Sequence, residues 1–172
     1  MAKIPLGRIE NGKSASAGVE QVQAAYVVPT SPRAAAGAWL VYRDHFLNSS
    51  AQIQISEIRK GAPASNLVGA AEALRLPRER VYELVGLSAS TAKRKLAKDE
   101  SLDSLMTERL TRLGAIERLA EETFGDALLA SEWLQTVNFG LGNVTPLSML
   151  DTEIGCREVS RVLNAIAYGG AA

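Results

Sequence analysis

One cysteine, Cys156, and one histidine, His45, leave this sequence short of the side chains that most catalytic and metal-binding chemistry uses. A lone cysteine excludes an internal disulfide and any multi-cysteine metal site, and it fits a reducing compartment. Cys156 reads as a small packing residue. His45 lies in an aromatic stripe beside Asp44. Neighbours in a helix point about 100° apart, so the two do not form a base and its orienting acid. No serine stands in a G-x-S-x-G elbow, and no His/Cys/acid set has metal-ligand spacing. Long apolar runs are missing as well. The longest, residues 34–42, is too short to span a membrane, and the start MAKIPLGRIENGK holds no apolar core of signal-peptide length. These absences predict a soluble cytoplasmic protein, not an enzyme, without cofactor, metal or membrane association.

An excess of either charge is also lacking, with 19 Lys/Arg against 19 Asp/Glu, so the total gives no sign of nucleic-acid binding. The distribution is lopsided. Residues 1–98 hold 14 Lys/Arg and 7 Asp/Glu, whereas residues 99–172 hold 5 and 12. A basic front half and an acidic back half suggest two different partners. The 172 residues, 47% of them hydrophobic, supply a core for one sizeable domain or two small ones.

Helix signals fill most of the chain, and the fold class expected is all-α. Residues 1–33 mix Gly, Ser, Ala and isolated charges without sustained period, apart from residues 22–28, which read as helix or strand. Ser31-Pro32 is a cap-and-proline start for a helix over 34–47, with Trp39, Tyr42 and Phe46 near one face. That stripe suits core or dimer packing, or a binding surface. Ile53, Ile55 and Ile58 predict a short helix ending at Gly61, and Pro63 opens another that carries Leu67, Val68, Ala71 and Leu74.

Leu76-Pro77 then reopens the chain as RERVYELVGL, with Val81, Leu84 and Val85 on one side and a tight turn at Gly86-Leu87. Ser88 caps ASTAKRKLAK, so helix, glycine-containing turn and helix follow at the length of a helix-turn-helix. In the second helix Ala92 and Leu96 share the inward face, and Ser90 and Arg94 lie about 200° away. Such a helix fits a major groove. Ser90 and Arg94 would read base edges there, Lys93 and Lys98 would neutralise phosphates, and Ser88 and Thr91 would join them at the helix start. The competing reading is a solvated basic face on a structural helix. With only Lys93, Arg94, Lys95 and Lys98 basic, doubling of the contacts in a homodimer built by residues 34–98 is the expected compensation.

After a polar hinge at 99–103, Leu105, Met106, Leu110, Leu113, Ile116 and Leu119 run into Phe124 as one long amphipathic helix. Gly125-Asp126 ends it, and a short helix over 127–135 holds Leu129 and Trp133. Gly140-Leu141-Gly142 begins like a dinucleotide fingerprint but fails at the last glycine, so it reads as a loop. Glu121-Glu122 reads as a solvated pair. Thr145-Pro146 starts a short helix over 146–150. Asp151 or Thr152 caps a last helix with Val159, Val162, Leu163 and Ile166 on one buried face, stopped by Gly169-Gly170.

The order P-L-x-x-L-x-T-x-x-G-x-x-x-V-x-x-x-L-x-x-I-x-Y-G, from Pro146 to Gly169, resembles the toxin-binding domain of Xre/MbcA/ParS-type antitoxins. FGDALLASEWLQTVNFGLGNVTPL resembles the middle of that domain, and GLSASTAKRKL resembles the turn and second helix of the Xre-like helix-turn-helix. The resemblance runs from about Trp39 to Gly170 and implies a DNA-binding and dimerisation domain over 34–101 and a toxin-binding domain over 102–172, with residues 1–33 an extension that falls outside it. It implies an antitoxin that neutralises a RES-domain, NAD-consuming toxin and represses its own operon by binding operator DNA. Arg157, Arg161, Asn164, Tyr168, Gly169, Gly170, Ala171 and Ala172 would lie at the toxin's NAD pocket. The alternative is a dimeric helix-turn-helix transcription regulator without a toxin partner.

Overall fold

The computed structural model describes residues 31–169, and the 22–28 segment lies outside them. Eight α-helices follow in order among these residues: α1 (Pro32–Asn48), α2 (Ala51–Lys60), α3 (Ser65–Ala73), α4 (Arg78–Val85), α5 (Ala89–Ala97), α6 (Ser104–Phe124), α7 (Ala127–Gln135) and α8 (Glu153–Tyr168). The starts follow from capping chemistry. Ser31, Ser88, Asp103, Asp126 and Thr152 each accept a first-turn backbone N–H through the side chain, which satisfies a donor with no partner inside the helix.

Helix α6 is the post around which the others stand. Its Leu110, Leu113 and Ile116 are buried, and α1, α2, α4, α7 and α8 all pack against it. One continuous apolar core runs from Trp39 through Leu67, Val81 and Leu110 to Val159 and Leu163. Helices α1 and α3 meet most closely. Gly69 of α3 lets them approach, because a Cβ there would sit 2.5 Å from both the Ala35 carbonyl oxygen and the Trp39 Cβ. Gly114 of α6 likewise leaves room for the Trp39 ring, which a Cβ would meet at 2.9 Å. Trp39 is fully buried in this glycine-walled slot.

The polar end of Trp39 needs a partner, since an unpaired buried N–H costs about 1–3 kcal/mol. Its indole Nε1–H donates to Glu117 Oε2 at 2.8 Å. Arg43, also buried, places Nη1 3.3 Å from Glu117, Nη2 2.9 Å from Glu121 and Nε 2.9 Å from Asp44. Three carboxylates thus share one guanidinium. Burial pushes the Glu117 carboxyl up to about 7, against the pull of Arg43 and of the Trp39 N–H.

Several expectations are corrected by this packing. Pro63 does not start a helix: it pairs as an isolated bridge with Ser101, and α3 begins at Ser65. The supposed hinge at 99–103 is tied down, with Leu102 buried and its N–H donating to the Ala62 carbonyl at 2.8 Å. Glu121 and Glu122 are not simply solvated, because Glu121 pairs with Arg43 and Glu122 with Arg118 at 2.8 Å. Residues 146–149 form a tighter 3-10 turn, and the Thr145 hydroxyl makes no capping bond there. Ile166 lies on the angular face of Val159, Val162 and Leu163 yet is 44% exposed, as it falls in the last turn, past the buried stretch of α8.

Candidate functional site

Two surfaces carry the residues singled out in the sequence. The first is α4, its turn and α5. Gly86 closes α4 in the left-handed region at φ 77°, and Leu87 buries its side chain while its N–H donates to the Tyr82 carbonyl at 2.7 Å. That backbone region favours glycine, since side-chain-bearing residues rarely adopt it. A Cβ on Gly86 would also displace the tip of the Arg109 guanidinium, which reaches from α6 and donates from Nη1 to the Val85 carbonyl at 3.4 Å. The turn is therefore held from the post helix.

Across that turn the Ser88 hydroxyl accepts the Thr91 N–H at 3.2 Å, donates to Thr91 Oγ1 at 2.9 Å and lies 3.1 Å from Ser90 Oγ. Ala92 is fully buried and Leu96 packs against the core, which fixes the rotation of α5. Ser88, Ser90, Lys93, Arg94 and Lys98 consequently face solvent, with Thr91 half-buried. Their charges are not equally available. Arg94 Nη1 stands 2.8 Å from both carboxylate oxygens of Glu100, and Lys95 Nζ lies 3.7 Å from Glu100 while donating to the Ser101 carbonyl at 2.8 Å. Sequence reading missed Glu100. Its signal was available only as a carboxylate just past the last turn of a basic helix.

The second surface is the outer face of α8. Thr152 caps the helix by accepting the Gly155 N–H at 3.0 Å, and Val159, Val162 and Leu163 turn inward. Cys156 is buried, its thiol 3.6 Å from the Leu150 carbonyl, and burial pushes that thiol up, which suits packing and not nucleophilic chemistry. Arg157, Arg161, Asn164 and Tyr168 are all exposed. At about 100° per residue they fall within one narrow stripe. Arg161 is partly engaged by Glu158 at 3.1 Å. Tyr168 is 86% exposed, so its ring does not cover the core. Gly169 ends the helix in the left-handed region, and Gly170, Ala171 and Ala172 lie outside the described residues.

Between α7 and α8 a short loop adds an apolar surface that period counting passed over. Phe139 is 89% exposed, with Val137 and Val144 partly so. The loop is braced from within. Asn138 accepts the Gly140 N–H on its side chain at 2.8 Å and donates its own N–H to the Val144 carbonyl at 3.0 Å. His45 sits on the surface of α1 with Nε2 3.3 Å from Glu57, away from both surfaces described above.

Comparison with known proteins bears on both surfaces. The family described as "Antitoxin Xre-like helix-turn-helix domain" matches residues 53–114, and "Antitoxin Xre/MbcA/ParS C-terminal toxin-binding domain" matches residues 119–169. The chain is 31% identical over 125 residues to a Sphingobium protein named "Prs ADP-ribosylating antitoxin", covering 67% of this chain and 79% of that protein. It is 34% identical over 79 residues to "Antitoxin Xre" of Pseudomonas putida, covering 46% of this chain and 50% of that protein. A Photorhabdus laumondii "Antitoxin Xre" is 36% identical over 90 residues, covering 52% of this chain and 61% of that protein.

Proposed function

The chain belongs to the Xre/MbcA/ParS antitoxin family, and from that premise we propose that it neutralises a RES-domain, NAD-consuming toxin and represses its own operon. The observation that carries the first role is the exposed stripe Arg157, Arg161, Asn164 and Tyr168, which lies inside the matched toxin-binding domain. Two arginines, an amide and a phenol offer hydrogen-bond donors to carboxylates and backbone carbonyls on a partner protein's surface. ADP-ribosylation draws ADP-ribose from NAD, so the name of the Sphingobium relative fits a partner of this class. The segment 169–172 would then block the toxin's NAD pocket by its backbone or its presence alone. No catalytic step is assigned to this chain.

Operator binding is the second role, with Ser88, Ser90, Thr91, Lys93, Arg94 and Lys98 as the DNA face of a homodimer built by residues 34–98. In this reading the 34–101 unit handles DNA and the 102–172 unit handles toxin, in the cytoplasm. Among the described residues no helix is long and apolar enough to cross a membrane.

The test is co-expression with a RES-domain toxin, with cellular NAD as the readout. The full chain should hold NAD at its toxin-free level, and deletion of residues 168–172 should let it fall. Full protection by the truncated chain would move inhibition to the helical surface around Arg157 and Arg161. Failure of the full chain to protect would leave a dimeric helix-turn-helix regulator as the better reading. Light scattering at micromolar concentration should give the mass of two chains, and a strict monomer would count against the operator model.

A further inference from the structure

We propose that Glu100 is an internal competitor for DNA phosphate that holds Arg94 in reserve and so sets the affinity threshold of α5. The proposal rests on the DNA-binding reading of α4 and α5. Of the four cations on this segment, Arg94 and Lys95 both face the one carboxylate of Glu100, at 2.8 and 3.7 Å. Lys93 and Lys98 are exposed and form no ion pair among the described residues. The carboxylate is not a wandering side chain on a loose linker. Asp99 turns the chain back at φ 51°, the Glu100 N–H donates to the Lys95 carbonyl at 2.9 Å, and the Glu100 carbonyl accepts the Ala64 N–H at 3.2 Å. Lys95 is tethered a second time by the Ser101 carbonyl.

With its Nη1 shared by both oxygens of a carboxylate, the Arg94 guanidinium is occupied at a nitrogen it would otherwise offer to a phosphate or a guanine edge. DNA must therefore displace Glu100 before Arg94 can contribute. An exposed ion pair of this kind is weak, so the displacement is easy for a site that offers several contacts at once. On arbitrary sequence, where phosphate attraction alone acts, Arg94 stays with Glu100 and the helix presents two lysines. The device lowers non-specific binding more than operator binding, and a neutral chain that cannot rely on bulk charge gains specificity from it.

The experiment measures fluorescence anisotropy of a labelled mixed-sequence duplex of about 24 base pairs and of a duplex from upstream of its own gene, against salt, for the full chain. Glu100→Gln, Arg94→Ala and the double variant are compared with the parent, each checked for an unchanged circular-dichroism melt. Glu100→Gln should tighten mixed-sequence binding roughly two- to fivefold, the range that an exposed ion pair corresponds to. Its log–log salt slope should steepen by about 0.9, one further phosphate contact. Tightening on the upstream duplex should be smaller. In the Arg94→Ala background the gain should largely vanish. Equal affinity and slope for parent and Glu100→Gln overturns the proposal while leaving DNA binding standing. A gain undiminished in the Arg94→Ala background also overturns it, since Glu100 would then act by simple repulsion. Absence of DNA binding by every variant at low salt overturns both the proposal and the reading it rests on.

Discussion

Replacing Glu117 by glutamine should make the protein relatively more stable as pH rises, the reverse of what loss of an ion pair would suggest. Glu117 is 2% exposed, accepts the Trp39 N–H, and shares Arg43 with Asp44 and Glu121, so the cluster carries more carboxylates than cations. Its Oε1 has no hydrogen-bond partner. Burial therefore wins, and the carboxyl is raised from 4.5 to about 7 in the folded chain. A carboxyl raised in this way stabilises the fold while protonated. That contribution is complete below the unfolded value near 4.5 and is lost as pH climbs through about 7. At about 1.4 kcal/mol for each tenfold change the ceiling is about 3 kcal/mol, of which roughly 2–3 kcal/mol should develop between pH 5 and pH 8. Glutamine keeps an acceptor for Trp39 and does not titrate. Urea unfolding followed by tryptophan fluorescence at the two pH values gives the difference, with titration of all other groups common to both proteins. The stability of Glu117→Gln minus that of the parent should rise by that amount from pH 5 to pH 8. A constant difference, or one that falls, would show that Arg43 keeps Glu117 ionised and would refute the reasoning.

Gly69→Ala should cost about 1–3 kcal/mol, because its Cβ would press on the backbone of α1, which cannot swing aside as a side chain can. Thermal melting should register this as a drop of several degrees. The pair Lys93→Ala and Arg94→Ala should weaken operator binding in a gel-shift titration at fixed salt yet leave toxin neutralisation intact, and unchanged affinity in a folded double variant would favour α5 as a structural helix with a solvated basic face. Thr152→Ala should remove about 1 kcal/mol by leaving the Gly155 N–H without its cap, visible as a lower urea midpoint.

Most helices were legible because their signals are local. Ser88 ahead of Ala92 and Leu96, or Thr152 ahead of Val159 and Val162, is a cap followed by a periodic face, and both features lie within a few turns. What could not be read depends on residues distant in sequence. Glu117 looks like any surface glutamate on an amphipathic helix, and it becomes buried only because Trp39 and Arg43 arrive from 78 and 74 positions earlier. Ile166 kept the period of its helix and still lies exposed, since periodicity marks the side of a helix that turns inward but not where the core ends. Arg94 was legible as a basic residue on an outer face. That its charge is engaged depends on how Asp99 turns the chain after the helix, which charge counting does not register.

The matched helix-turn-helix ends at residue 114 and the matched toxin-binding domain starts at 119, so both boundaries fall inside α6. That helix holds the α4 turn through Arg109, the Ala62 N–H through the Thr107 hydroxyl at 2.9 Å and Trp39 through Glu117, while α7 and α8 pack on it as well. The two surfaces are therefore separable by surface substitutions but not by substitutions in their shared post. Leu113→Ala tests this. The side chain is 1% exposed near the middle of α6, and truncation of a buried leucine removes about 2–5 kcal/mol. Operator affinity in a gel shift and NAD protection in cells should fall together, and both should follow the lowered unfolding midpoint measured in urea. Loss of one activity with full retention of the other would mean that the halves fold independently despite their common core.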